Sequence, residues 1–165
     1  MASKAEILRL CAELDSDIEL LKSLEAQNSR ALKRIEQGAN DELDYAALGY
    51  TLHNLYSLIE NYALRIAKTF ENSVDEASWH RELIRRMTLE IPEIRPQVWS
   101  RELFHDIDEL RRFRHAFRHI YDSRLEPDKL MVAQSRVARV VSGLRSSHTE
   151  FRAKLAVLAS ELDEE

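Results

Sequence analysis

The sequence predicts an all-α protein: an up-and-down bundle of four long helices and one short helix, in a single domain spanning residues 1–165. Three observations predict it. Three glycines and three prolines are too few for a sandwich or barrel that turns every ten residues or so. Leu, Ala, Glu and Arg dominate, and all four favour helix. Apolar residues recur every three or four positions over long stretches, and the polar breaks between them are short, which places successive helices antiparallel.

The elements follow in order. Ser3 and Glu6 match a capping box. After them Ile7, Cys11, Leu14, Ile18, Leu21, Leu32 and Ile35 mark one side of a long helix, which Gly38 ends. Asn40 and Asp41 are candidate caps for a second helix carrying Leu48, Leu52, Leu55, Ile59, Tyr62, Ile66 and Phe70. Residues 72–78 are polar and read as a loop. A short helix follows from about Trp79 to Glu90, and Pro92 and Pro96 disfavour helix between them. Ser100 caps a helix through Leu103, Ile107, Leu110, Phe113, Phe117 and Ile120. Pro127 suits the first turn of a last helix. Its nearly heptad stripe runs Leu130, Val137, Val141, Leu144, Phe151, Leu155, Leu158 and Leu162. The acidic tail, Glu161 to Glu165, reads as frayed. No internal repeat is present.

Composition narrows the functional classes. A formal net charge of −5 argues against a generic nucleic-acid coat protein. It leaves room for a local basic site, because charges are screened beyond about 8 Å at physiological salt. The single cysteine, Cys11, lies on the apolar stripe and reads as a small core residue, which fits a reducing cytoplasm. No apolar run nears the roughly 20 residues needed to cross a membrane, and the opening MASKAEILRL lacks a signal-peptide core. No metal or cofactor is expected: there is no paired-cysteine motif, no His-Glu-x-x-His and no glycine-rich phosphate loop.

The chemistry concentrates in Arg114-His115-Ala116-Phe117-Arg118-His119-Ile120-Tyr121, flanked by Arg111, Arg112 and Arg124. Metal-free RNA cleavage needs a group of near-neutral pKa to move the 2′-hydroxyl proton, which histidine supplies. It also needs a cation to hold the phosphate, which arginine's planar fork supplies. On an ideal helix, however, His119 lies about 140° from Arg114, while Tyr121 lies about 20° from it. The two motif residues meet if the arginine wraps, if the helix distorts, or if two copies face each other across a two-fold dimer cleft. The same arginines and histidines also fit a merely solvated helix face. His105 reads as solvent-facing and His148 as a satisfied, partly buried histidine. His80 reads first as the neighbour of a packed Trp79 and second as a contact near the cleft. Nothing in the sequence singles out His53.

The segment resembles the Arg-x4-His-x-Tyr signature of the HEPN superfamily, specifically HepT-like ribonuclease toxins. LHNLYSLIENYALRIA, WHRELIRRM, the Arg-Pro pair and FRHAFRHIY resemble one branch of that family in order and spacing, over roughly residues 45–130. The resemblance implies a dimerising helical bundle and a metal-independent endoribonuclease, with tRNA as a target class. Arg114 and His119 would be catalytic, and His115, Arg118 and Arg111 supporting or RNA-binding. It also implies a minimal nucleotidyltransferase antitoxin that attaches AMP to Tyr121. His115 stands where many members carry Asn or Asp. A non-catalytic nucleotide- or RNA-binding subunit of a nucleotidyltransferase is the alternative reading, and a helical adaptor is a third.

Overall fold

Six α-helices and one 3₁₀ turn make up the computed structural model, which describes residues 2–71, 79–122 and 124–162. They are α1 (Lys4–Glu36), α2 (Glu42–Phe70), α3 (Trp79–Arg86), α4 (Arg101–Arg118), a single 3₁₀ turn (Ile120–Asp122), α5 (Pro127–Gln134) and α6 (Val137–Glu161). No β-strand occurs among the described residues.

The capping box is formed. The Ser3 hydroxyl accepts from the Glu6 amide at 3.3 Å, and the Glu6 carboxylate accepts from the Ser3 amide at 2.8 Å. At the other end of α1, Gly38 takes φ +98°. Its amide bonds Ile35 O and the Ala39 amide bonds Arg34 O, both at 3.0 Å. This is the Schellman closure that a left-handed glycine permits. Asp41 then caps α2 through the Leu43 amide at 2.8 Å, and Ser100 caps α4 through Leu103 at 3.1 Å. The expected loop at 72–78 lies outside the described residues, as does the end of the acidic tail.

Three boundaries differ from the sequence reading. The third helix stops at Arg86 rather than Glu90, because the segment after it folds back onto itself. Val98 N bonds Met87 O at 3.0 Å, and Ile91 and Arg95 bridge each other. Arg95, buried, ties this segment down through Glu71 at 2.7 Å and the carbonyls of Arg86 and Leu89. The indole of Trp99 anchors it to Ile84 O at 3.0 Å. The expected last helix is two helices, parted at Ser135 and Arg136. There the Ser135 hydroxyl bonds Val132 O at 2.6 Å and the Arg136 amide reaches Ala133 O, a three-residue step that ends the α pattern. Third, α4 ends at Arg118, not at Ile120.

The core is the one the stripes described. Ile7, Leu10, Leu14 and Leu21 of α1, Leu48, Leu52, Leu55, Ile59, Tyr62 and Ile66 of α2, Ile107 and Leu110 of α4, and Val141, Leu144, Phe151 and Leu155 of α6 are all buried. Cys11 is buried with them, and burial pushes its thiol pKa up. Two polar networks tie the helices together, the first buried and the second reaching the surface at Asp15. Asn28 of α1 exchanges amide bonds of 2.8 and 2.9 Å with Gln134 of α5 and donates to Thr51 of α2 at 2.9 Å. His148 of α6 bonds the Tyr62 hydroxyl and Asp15, both at 3.0 Å. His148 is thus satisfied and mostly buried, as expected. No helix among the described residues is long and apolar enough to cross a membrane.

Candidate functional site

Two helices, α2 and α4, build the site, with one contact from α3. Along one side of α2 stand Gly49, His53, Tyr56 and Glu60, at helical spacing, and α4 packs on that side. The approach is close because residue 49 has no side chain: a Cβ there would meet Phe117 Cε2 at 2.8 Å. Phe117 stacks on Phe113 with ring centroids 5.6 Å apart. These aromatics seat the apolar side of α4 and leave its basic residues at the rim.

Arg114 is the buried end of that rim. Its guanidinium carbon lies 5.3 Å above the Tyr56 ring, and one terminal nitrogen is 3.6 Å from Glu60 Oε2. The Arg114 side chain is 16% exposed and that of Glu60 8%. The charge is therefore held by a carboxylate below and an aromatic face beside it, with one edge left toward solvent. The same Glu60 oxygen meets His80 Nδ1 at 2.7 Å. His80 is thus a contact of the carboxylate that lies under Arg114. The side chain of Trp79 lies outside the described residues. Burial raises the Tyr56 hydroxyl far above the ordinary phenol range, and the Glu60 charge adds to it. That phenol stays protonated at any physiological pH.

His119 is the C-cap of α4, with φ −112° and ψ 22° and its amide on Ala116 O at 3.2 Å. The helix tightens there into the 3₁₀ turn. Its ring lies 5.2 Å from that of His115, edge to face, and both side chains are exposed. Arg118 is exposed beside them, and Tyr121 is 80% exposed. Arg111 is more committed. It bonds the buried Asp108 at 2.7 Å, a carboxylate that Arg112 and Arg81 approach at 3.4 and 3.6 Å. His105 lies on the surface against Phe104.

Of the motif residues, then, His115 and His119 meet directly, Arg118 and Tyr121 flank them, and Arg114 sits apart. No hydrogen bond or ion pair joins Arg114 to His119 among the described residues. Of the three remedies, helix distortion is present at His119. It does not by itself join the two by a hydrogen bond or an ion pair.

Sequence reasoning missed His53 and Glu60. His53 lies between the two halves of the site, its ring 6.1 Å from that of Phe117. Burial, then the charges of Arg114 and Arg118, lower its pKa below the usual histidine value. The available signal was the i, i+3, i+7 spacing of His53, Tyr56 and Glu60, which puts three polar groups on a face that is otherwise core. Among the described residues no cluster of three or more His, Cys, Asp or Glu side chains is arranged to hold a metal ion.

An α-helical bundle whose basic helix ends in an Arg-x4-His-x-Tyr array has the architecture of the HEPN superfamily. Within it the chain belongs to the HepT-like protein family, whose model matches residues 47–155. That span takes in the site-bearing face of α2 and all of α3, α4 and α5. No curated protein and no solved structure matches the chain. The family is in general one of ribonuclease-type toxins from toxin–antitoxin systems.

Proposed function

We propose that this protein is a metal-independent endoribonuclease toxin acting on tRNA, silenced when a minimal nucleotidyltransferase antitoxin adenylylates Tyr121. The observation that carries the reading is the exposed His115–His119 pair at the tightened end of α4, one turn from an arginine clamped between Tyr56 and Glu60.

In this reading the 2′-hydroxyl oxygen attacks the adjacent phosphorus, and the bond to the 5′ oxygen breaks. The 2′ proton passes to a neutral imidazole, and the leaving 5′ oxygen takes a proton from an imidazolium. The products are a 2′,3′-cyclic phosphate and a 5′-hydroxyl. His119 performs one of these transfers. Arg114 holds the phosphate and stabilises the charge that develops on it, and Arg118, His115 and Arg111 support RNA binding. Glu60 is a positioning residue that fixes the guanidinium. The gap between Arg114 and His119 within one chain is closed in a two-fold dimer, where each site draws on both copies.

Tyr121 is accessible to a modifying enzyme. AMP attached there places an anionic phosphate beside Arg118 and blocks the approach of RNA by charge and bulk. The test is cleavage of total tRNA by purified protein in EDTA, wild type beside His119→Ala. Loss of about 10²–10⁴-fold in the variant, with cyclic-phosphate ends in the wild-type product, supports the reading. Equal cleavage by both sinks it. A wild type that binds nucleotide but leaves RNA intact favours the accessory subunit instead.

A further inference from the structure

A second basic surface lies on the other side of α2. The end of α1 and the start of α2 form an open groove of about 510 Å³, lined among others by Arg30, Lys33, Arg34, Ala47, Tyr50 and Thr51. None of its lining residues is acidic, in a chain whose formal net charge is −5. Arg34 is paired with Asp44 at 2.9 Å. Arg30 and Lys33 are exposed and form no ion pair among the described residues. Tyr50, an aromatic residue that ordinarily hides its ring, is 58% exposed at the groove's edge. The small side chains of Ala31, Ala47 and Thr51 line the same groove.

The groove connects with the motif through α2. Tyr50 follows Gly49, the residue on which Phe117 of the motif rests. It precedes Glu60, under Arg114, by ten residues, an axial rise of roughly 15 Å. Two cations outside any ion pair among the described residues, Arg30 and Lys33, and an exposed aromatic ring, about three helical turns along α2 from Glu60, match what single-stranded RNA presents: a phosphate backbone and bases whose faces are free.

We infer that this groove is a binding subsite for single-stranded RNA flanking the scissile bond, with Arg30 and Lys33 on phosphates and Tyr50 stacked on a base. The inference rests on the ribonuclease reading above for what happens at the other end of the strand. Duplex RNA is excluded from the Tyr50 contact because its bases are already stacked.

The test uses full-length protein in the His119→Ala background, so that binding is read without cleavage. A labelled single-stranded oligoribonucleotide and its duplex are titrated over a range of salt. Arg30→Gln with Lys33→Gln weakens single-strand binding about tenfold and lowers the slope of log K against log salt by about 1.4, the share of two phosphates. Arg9→Gln with Lys154→Gln removes the same charge from other exposed faces and leaves the slope in place. Tyr50→Ala weakens single-strand but not duplex binding, by about tenfold or more. Equal behaviour of the two charge variants overturns the inference, as does a parent protein that binds no RNA. So does a Tyr50→Ala protein that light scattering finds dissociated from dimer to monomer, which would assign the ring to a subunit seam. The two readings fail separately. Binding that depends on the groove, in a protein whose wild type cuts no RNA, removes the ribonuclease reading alone. Wild-type cleavage with groove-independent binding removes the groove alone.

Discussion

Glu60 is the residue whose loss most directly tests the built site. Glu60→Gln keeps the volume and an acceptor for His80, and removes only the charge. At 3.6 Å and an effective dielectric of about 20, the attraction between Glu60 and Arg114 is about 4–5 kcal/mol. Desolvation of two largely buried side chains offsets much of that. The expected coupling in a double-mutant cycle with Arg114→Gln is therefore about 1–3 kcal/mol. Unfolding by urea should show Glu60→Gln alone less stable by about 1.5–3 kcal/mol, the usual worth of hydrogen bonds to a charged group. In the tRNA assay its kcat should fall about 10²-fold, since an arginine displaced by about 1 Å loses that much, while far-UV circular dichroism stays native. Additive stabilities in the cycle would show that the pair does not interact. Full cleavage by Glu60→Gln would show that Arg114 needs no such support.

Three further outcomes are expected. Gly49→Ala drives a methyl into Phe117 at 2.8 Å and should cost about 1–3 kcal/mol by overpacking, read as a lowered urea midpoint; an unchanged midpoint would mean that α4 rides freely on α2. Tyr121→Phe should resist adenylylation and stay active with the antitoxin present, scored by intact mass and tRNA cleavage; continued silencing would point to occlusion by the partner instead. Burial holds His148 below its ordinary value of 6.5, so the unfolded chain takes up a proton there more readily than the folded one. That contribution to stability is whole above about pH 6.5 and is lost as pH falls below it. His148→Gln should therefore flatten the fall in Tm between pH 7.5 and 5, and an unchanged slope would rule out His148 as its source.

Much of the molecule is legible from local rules. The capping box at Ser3, the glycine stop at Gly38, the Asp41 and Ser100 caps and the two prolines near 92–96 act through a few neighbouring backbone groups, so residue type and order suffice to read them. The apolar stripes named the core nearly residue by residue, down to the interruption at His148. The family, too, was readable, because the Arg-x4-His-x-Tyr spacing and its companion segments are linear features.

What linear spacing does not contain is which faces meet. The break at Ser135 and Arg136 was invisible because the apolar stripe runs on across it; it is the exchange of amide bonds between Gln134 and Asn28 that fixes α5 in place. His119 looked like another position on a regular helix, yet it caps one, and that change of backbone sets where its ring points. Glu60 and His53 looked like ordinary members of a long helix. They became part of the site only because Gly49 lets α4 settle onto that side of α2, carrying Arg114 over a carboxylate that lies far from it in the chain. Periodicity fixes the helices and their inward sides, since a side chain's direction follows from its own backbone. The charge pairs and the partners of each histidine depend on packing between helices, and on contacts that no interval along the sequence encodes.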